Sequence, residues 1–169
     1  IKDVEIFDGD IYVSYTKEVK ENCWNTSLLS AKMNYVYIHF TTLFTSEECV
    51  NEYDNIDDEY NAHQSGGRII NLNNEIVLFS IGDFRSRYRA QSESSIFGKV
   101  LKINKKNNDY EVISMGHRNP QGLFYNEDKN FLLEAEHGPQ GGDEINVIKL
   151  DYNSIQNFGW AISSYGEHY

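Results

Sequence analysis

The stretch Asn74–Gly82 reads NEIVLFSIG and carries the pattern that decides the fold: a polar turn, an apolar run rich in β-branched residues, and a closing glycine. The pattern recurs at Lys129–Gly138, and Gly9–Val13 repeats its turn and the start of its apolar run. Apolar runs of about four to eight residues between Gly, Asn and Asp are typical of β-strands. Strand hairpins that repeat along a chain, with loops gathered on one face, favour an all-β fold of the β-propeller type.

The remaining apolar runs extend this prediction over the whole chain. Besides Ile76–Ile81, the runs predicted as strands are Ile11–Tyr15, Tyr35–Phe40, Val100–Ile103, Phe131–Leu133 and Ile145–Ile148. Thr45–Tyr53, with Ser46 at the cap position, is the best candidate for a short helix. A propeller blade takes about 40–50 residues, so 169 residues supply roughly three to four blades. We therefore expect one partial propeller domain over residues 1–169.

The composition is that of an ordered globular chain and excludes two classes of protein. Hydrophobic residues make up 40% of the chain, which contains 12 Tyr and 9 Phe, too many for a disordered polymer. The 26 acidic side chains outnumber the 15 basic ones, and the resulting net charge of −11 argues against a general nucleic-acid binder. No apolar run approaches the roughly 20 residues that span a bilayer, so we expect no membrane span.

Two polar, glycine-rich segments form the best place for chemistry. They are Gly116–Gly122 (GHRNPQG) and Glu136–Asn146 (EHGPQGGDEIN). The residues between them, Leu123–Ala135, have the length and pattern of one hairpin. Because a hairpin returns the chain to the end of the sheet from which it left, we expect the two segments to lie side by side on one face.

Side chains and carbonyls in these segments suit charged ligands. Arg118 offers a planar fork of donors suited to carboxylates or a quinone oxygen. Asn119 precedes a proline, so we expect it to be extended with its amide pointing outward. The carbonyl groups of Gly138-Pro139 suit a hard cation such as Ca²⁺. Asp143-Glu144 adds two carboxylates, although an isolated acidic pair after two glycines is more often a solvated turn.

Two upstream segments carry further candidates. His63 lies in a polar loop before a strand, where an imidazole can abstract a proton near neutral pH, although a loop histidine is more often structural or simply exposed. Arg85, Arg87 and Arg89 alternate with other residues and would share one face of an extended segment. Such a face could guide an anionic ligand, but an exposed basic strand edge is the more ordinary interpretation.

The two cysteines, Cys23 and Cys49, do not form a zinc-binding pattern. A bond between them would close a loop of about 26 residues and stabilise the fold by roughly 3 kcal/mol. Two reduced thiols are equally compatible with the spacing, so the sequence by itself leaves the pairing open.

Taken together and in order, the polar segments resemble the middle blades of the soluble glucose and aldose dehydrogenases that depend on pyrroloquinoline quinone (PQQ). The resemblance runs unbroken from about Tyr60 to Tyr169, whereas residues 1–59 match only as generic strands. The matching segments are His63–Arg68, Ile81–Asp83, Phe97–Leu101, Gly116–Leu123, Glu136–Pro139, Gly142–Asn146, Asn157–Trp160 and Ser164–Gly166.

The resemblance implies a six-bladed propeller that oxidises an aldose sugar at its anomeric hydroxyl to the lactone, with hydride transfer to PQQ. It places His63 at the general base that takes the hydroxyl proton. It places Arg118 and Asn119 at residues that contact the quinone, with Arg118 also near the substrate. The carbonyls of Gly138 and Pro139 fall on the ligands of the Ca²⁺ that polarises the cofactor.

The resemblance has further implications for metal, compartment and completeness. Asp143 and Glu144 fall on a second, structural Ca²⁺ site. The family is usually exported to the periplasm or secreted, and it passes its electrons to an external acceptor. An oxidising compartment favours the disulfide between Cys23 and Cys49. A partial chain would lack a complete site and would be inactive alone.

Three positions depart from the family pattern, and two other functions stay open. Ala62 replaces an Asp beside the base, while Phe158 and Ala161 replace the Tyr and Pro of an N-Y-G-W-P motif. One alternative is a non-catalytic propeller that serves as a binding or receptor module. The other is a lactonase-type propeller hydrolase in which a central Ca²⁺ activates water. The joint presence of His63, Arg118 and the carbonyl pair favours the dehydrogenase, because a binding module need not keep them together.

Overall fold

The computed structural model describes residues 1–167; His168 and Tyr169, the last two residues of the predicted domain and of the family resemblance, lie outside the described part. The described residues form three β-sheets and one helix of four residues. No helix among them is long and apolar enough to cross a membrane.

The first sheet is an antiparallel meander in the order β1-β2-β3-β4, with a short fifth strand also paired to β3. Its strands are β1 (Asp3–Phe7), β2 (Asp10–Lys20), β3 (Cys23–Lys32), β4 (Thr41–Phe44) and β5 (Val50–Asn51). The tight turn between β1 and β2 uses Asp8 and Gly9, both with positive φ, which matches the polar turn that the sequence places there.

The second sheet is a four-stranded meander to which a late strand adds in parallel at the outer edge. Its strands are β6 (Gly66–Asn71), β7 (Ile76–Ile81), β8 (Lys99–Asn104), β9 (Tyr110–Met115) and β13 (Gln156–Asn157). The single helix, α1 (Arg87–Ala90), lies in the connection between β7 and β8.

The third sheet has three strands, and its position reveals the radial arrangement. Its strands are β10 (Pro120–Asn126), β11 (Phe131–Glu136) and β12 (Glu144–Lys149). The first strand of the second sheet, β6, contacts β1 and β10, the first strands of the other two sheets. Meanders whose first strands meet around a common centre are blades of a propeller. Residues 1–167 therefore form three blades, within the three to four that the chain length predicts.

The two hydrophobic clusters lie between neighbouring blades. Val77, Phe79 and Ile81 of β7 pack in the cluster shared with the first blade, while Leu78 packs in the cluster shared with the third. Successive side chains of a strand point to opposite faces, so β7 buries both of its faces. That is why the deciding stretch is continuously apolar rather than alternating.

Two predicted elements are wrong at the level of secondary structure. Tyr35–Phe40 is not a strand but an exposed loop, because β3 and β4 close their ladder at the Ser30–Thr41 pair and leave the loop without a partner strand. Thr45–Tyr53 is not a helix. The Asn25 amide binds the carbonyls of Ser46 and Glu48, and the residues after them form β5.

The cysteine pairing is settled by the fold. Cys23 at the start of β3 is bonded to Cys49, which comes directly before β5. The paired strands β3 and β5 bring the two residues together, since Trp24 lies opposite Val50 in the ladder. The disulfide, favoured in the sequence only by the resemblance, is therefore present.

The arginine-rich segment also differs from its predicted extended form. Phe84 and Arg85 have positive φ and turn the chain, and Arg87 and Arg89 then fall within α1. The three arginines do not form a common basic face, because Arg85 and Arg87 pair with Glu59 whereas Arg89 pairs with Glu48.

Candidate functional site

The two glycine-rich segments lie side by side, as their separation by one hairpin predicts. The His137 amide donates to the Asn119 carbonyl at 3.2 Å. Arg118 Nη1 donates to the carbonyls of His137 and Gly138 at 2.9 and 2.7 Å. The Arg118 side chain of the first segment therefore binds the backbone of the second segment.

Arg118 is buried, and two further groups help to fix its direction. Its guanidinium lies over the Trp160 ring, 5.5 Å from the ring centroid. With the Gln64 amide oriented to satisfy its neighbours, the Gln64 oxygen accepts from Arg118 Nη2 at 3.0 Å and its nitrogen donates to Asp83 at 3.1 Å. A planar guanidinium held in this way is preorganised for an anionic group.

Asp83, which the Gln64 amide links to this arginine, is fully buried. Its carboxylate accepts from the Trp160 indole at 2.7 Å and from the Arg85 amide at 2.8 Å. Burial raises the pKa of Asp83 to about 7, although both of these hydrogen bonds and the charge of Arg118 act in the opposite direction. Sequence reasoning assigned no role to Asp83. Its position directly after Gly82, where the buried strand β7 ends, is the signal that marks it.

Asn119 faces inward, contrary to the prediction that its amide points outward. Its side chain is 5% exposed, and its Oδ1 accepts from the Gly66 amide at 3.1 Å. Gly66 itself has a φ of +59°, and a Cβ there would lie 2.8 Å from the Gly82 nitrogen. A glycine is thus required where the second blade meets this loop.

His63 lies on the same side of the molecule, at the rim of the buried groups. Its amide donates to the Asn61 side chain at 2.9 Å, and its carbonyl accepts from Gln121 at 3.5 Å. The side chain is exposed, and no residue in the described part of the chain hydrogen-bonds its imidazole. The imidazole is therefore accessible from solvent, whereas Arg118 and Asn119 are buried and hydrogen-bonded to neighbouring residues.

Gly138 and Pro139 form a tight turn that concentrates carbonyl oxygens. The Gly142 amide donates to the Pro139 carbonyl at 2.8 Å, and a Cβ on Gly138 would collide with the carbonyl of Gly142. The cationic Arg118 already lies on the Gly138 oxygen. Backbone carbonyl oxygens are ligands that a hard cation accepts. The part of these two carbonyls in binding Ca²⁺ stays a prediction.

Asp143 and Glu144 make separate contacts in the described part of the chain. Asp143 accepts from the Gly138 amide at 3.1 Å and from His137 at 3.3 Å. Glu144 begins β12, and burial, then the charge of Glu136, raises its pKa. Within residues 1–167, neither belongs to a group of three potential metal-ligating side chains. Their part in a calcium site stays a prediction.

Behind the two loops lies a buried cluster that sequence reasoning missed. His117 Nδ1 lies 3.3 Å from Glu136 and 3.5 Å from Glu134, and its Nε2 lies 2.8 Å from the Ser114 hydroxyl. Phe158 stacks on the imidazole at 5.1 Å between ring centroids. Glu134 and Glu136 are two residues apart on β11, so they share one face, and that spacing was the available signal.

Charges in this cluster depend on one another. Burial by itself lowers the pKa of His117, but hydrogen bonds to Glu134 and Glu136 outweigh it and raise the pKa to about 9. Burial raises the pKa of Glu134, opposed by His117. A histidinium between two carboxylates is therefore the form that the fold favours near neutral pH.

Comparison with known sequences places these features in a family. The sequence model described as "Glucose / Sorbosone dehydrogenase" matches residues 7–169. The chain is 31% identical over 117 residues to the aldose sugar dehydrogenase YliI of Escherichia coli, covering 62% of the chain and 30% of that protein. It is 29% identical over 128 residues to quinoprotein glucose dehydrogenase B of Acinetobacter calcoaceticus, covering 58% of the chain and 26% of that protein. These alignments thus cover less than a third of the length of the two relatives.

Solved structures agree in fold. The apo-form of the soluble aldose sugar dehydrogenase from Escherichia coli superposes with a TM-score of 0.74 at 24% identity, covering 95% of this chain and 47% of that one. The PQQ-bound aldose sugar dehydrogenase from Streptomyces coelicolor gives 0.70 at 20% identity, covering 92% and 45%. Because the family match extends over nearly all of the sequence, the chain belongs to the glucose/sorbosone dehydrogenase family.

Proposed function

We propose that the full-length protein oxidises the anomeric hydroxyl of an aldose sugar to the lactone, with PQQ as the hydride acceptor. The observation that carries the proposal is the convergence of three loops, which brings Arg118 and Asn119 beside the Gly138-Pro139 turn and leaves His63 at the rim. Relatives that are an aldose sugar dehydrogenase and a quinoprotein glucose dehydrogenase support the same chemistry.

In this proposal the chain's own residues bind the quinone and take the proton. Arg118, with Asn119 beside it, holds the quinone, since a guanidinium binds carboxylates and carbonyl oxygens. His63 takes the proton of the sugar hydroxyl, because its imidazole is accessible and carries no competing hydrogen bond among the described residues. When bound, the quinone supplies the hydride acceptor that no amino-acid side chain can provide.

Calcium and the cellular setting belong to the same proposal. The carbonyls of Gly138 and Pro139 would hold the Ca²⁺ beside the cofactor, and Asp143 with Glu144 would take part in a second, structural site. The sugar would enter from solvent, and an external acceptor would take up the two electrons released from it. We place the protein in the periplasm or outside the cell, where the disulfide is stable. The partial chain alone would lack residues needed for turnover.

The test is reconstitution of the full-length protein with PQQ and Ca²⁺, followed by dye reduction over a panel of aldoses. We expect turnover that requires both additions. His63→Ala should lower kcat by about 100-fold or more while quinone affinity changes little, because a general base contributes about 10²–10⁴-fold. His39→Ala is the matched control, since His39 is an exposed histidine in the loop between β3 and β4.

Other outcomes would contradict the proposal in identifiable ways. If His63→Ala weakened quinone binding as much as turnover, His63 would be structural rather than the base. If the wild-type protein bound no PQQ, the non-catalytic propeller would be the better interpretation. Sugar-lactone hydrolysis with Ca²⁺ alone would identify the lactonase-type alternative.

A further inference from the structure

Glu136, the last residue of β11, has a carboxylate directed at the backbone of the Arg118 loop. Its Oε2 accepts from the amides of Arg118 and Asn119 at 2.5 and 3.2 Å. Its Oε1 lies 3.3 Å from His117 and accepts from the Asn146 amide at 3.1 Å. Glu136 is 6% exposed, so its hydrogen bonds are shielded from bulk water. Such bonds are electrostatically stronger than the same bonds at the surface.

Other elements bind the carbonyls of this loop: the Arg118 carbonyl accepts from the Asp83 amide at 2.9 Å, and the Asn119 carbonyl accepts from the His137 amide at 3.2 Å. The amides of residues 118 and 119 both donate to Glu136, and Pro120, which follows them, has no amide hydrogen. Hydrogen bonds from backbone amides to a carboxylate are stronger than bonds between neutral groups. Glu136 therefore fixes the backbone from which the Arg118 and Asn119 side chains leave.

The same strand end also anchors the arginine from its other side. Directly after Glu136, the carbonyls of His137 and Gly138 accept from Arg118 Nη1. The Glu136 side chain thus binds the backbone of Arg118, and the carbonyls of His137 and Gly138 bind its guanidinium. A shift of Glu136 would be transmitted to both ends of Arg118.

We propose that Glu136 is a positioning residue that sets the orientation of Arg118 and Asn119 toward the bound cofactor. The inference rests on the proposed function, in which those two residues hold the quinone. Glu136 does not touch the reacting atoms. Its contribution is geometric, and a displacement of about 1 Å at such a site costs about 100-fold in rate.

Glu134 provides a matched control within the same cluster. It lies two residues earlier on β11, is fully buried, and contacts the same partners, His117 at 3.5 Å and Asn146 at 3.0 Å. Its other oxygen, Oε1, has no partner among the described residues, and it makes no hydrogen bond to the amides of the Arg118 loop. Loss of Glu134 therefore perturbs the cluster without releasing the loop.

The experiment compares Glu136→Ala, Glu136→Gln and Glu134→Ala in the full-length protein. PQQ titration of the apo-protein gives a dissociation constant, turnover gives kcat, and hydrogen exchange gives the protection of amides 118 and 119. We expect Glu136→Ala to weaken PQQ binding at least tenfold and to speed exchange of the two amides about tenfold, the equivalent of one lost hydrogen bond. Glu136→Gln, which keeps an acceptor oxygen, should recover most of both. Glu134→Ala should change either value by less than about threefold.

Each result decides a separate question. Equal effects of Glu136→Ala and Glu134→Ala on PQQ binding and on exchange would overturn the positioning role, because general destabilisation would then explain both. If the wild-type protein binds no PQQ, the proposed function fails, and amide exchange still decides whether Glu136 holds the loop. Unchanged exchange at amides 118 and 119 in Glu136→Ala would overturn the inference in either case.

Discussion

At the scale of single residues, the buried His117 imidazole is the clearest source of pH dependence. Its folded-state pKa of about 9 lies above the ordinary value of 6.5, because two carboxylates of β11 outweigh the effect of burial. A histidine shifted in this direction stabilises the fold fully below pH 6.5, and that contribution is lost as the pH rises through 9.

We therefore expect the free energy of unfolding of the full-length protein to fall between pH 6.5 and 9, by up to about 3 kcal/mol from this residue. Urea unfolding at several pH values measures the change. His117→Gln should be less stable at pH 6.5 and should lose most of this pH dependence. An imidazole resonance that titrates near pH 6.5 in the folded protein would contradict the prediction.

At the scale of elements, a lysine of the neighbouring strand binds the carboxyl end of the four-residue helix α1. Lys99 of β8 is fully buried, and its ammonium donates to the carbonyls of Arg89, Ala90 and Phe97 at 2.9, 3.0 and 2.7 Å. A cation at the carboxyl end of a helix satisfies carbonyls that have no partner within the helix. Burial lowers the pKa of Lys99 to about 8, so it is still mainly charged at pH 7.

Lys99→Met keeps the length of the side chain but removes its three hydrogen bonds. We expect a loss of about 1–3 kcal/mol in the free energy of unfolding at pH 7, the cost of unpaired buried polar groups. Lys102→Met, on the same strand, removes only a partly exposed ion pair with Glu111 and should change stability by less than about 1 kcal/mol. Equal losses in urea unfolding for the two variants would show that Lys99 does not support the helix.

At the scale of the whole molecule, the Cys23–Cys49 disulfide lies within the first blade, next to a residue that binds the second blade. Next to Cys49, the Glu48 carboxylate accepts from Ser95 Oγ and the Ile96 amide, both at 2.8 Å, and pairs with Arg89. The disulfide closes a loop with a sequence separation of 26 residues. The disulfide therefore reduces the conformational entropy of the unfolded chain. It also positions Glu48, whose carboxylate binds Ser95 and Ile96 in the loop before β8.

Replacing both cysteines by serine should lower the free energy of unfolding by about 3 kcal/mol. Urea unfolding of the full-length protein, with the wild-type protein under strong reductant as the comparison, checks this value. Reduced wild-type protein and the double variant should have the same midpoint. A wild-type midpoint that does not respond to complete reduction would contradict the prediction.

The local sequence pattern was sufficient to predict elements whose structure depends mainly on residues close to one another in the chain. The run Ile76–Ile81 became β7 with the predicted bounds, because it is apolar on both faces and has neighbours to cover each. The hairpin between the two glycine-rich segments formed as its turn and length predict, so Arg118 and Gly138 came together. The sequence by itself thus determined the all-β class, the repeat and the meeting of these loops.

Tertiary structure decided everything that depends on a distant partner. Tyr35–Phe40 has strand propensity but gained no ladder partner, and so it is a loop. The amide of Asn119 turned inward because Gly66, from another blade, offered a donor. The Glu136 carboxylate accepts hydrogen bonds from two amides that lie 17 and 18 residues away along the chain. Propensity and spacing describe neighbours in sequence, whereas hydrogen-bond partners and burial are fixed only when separate blades pack together.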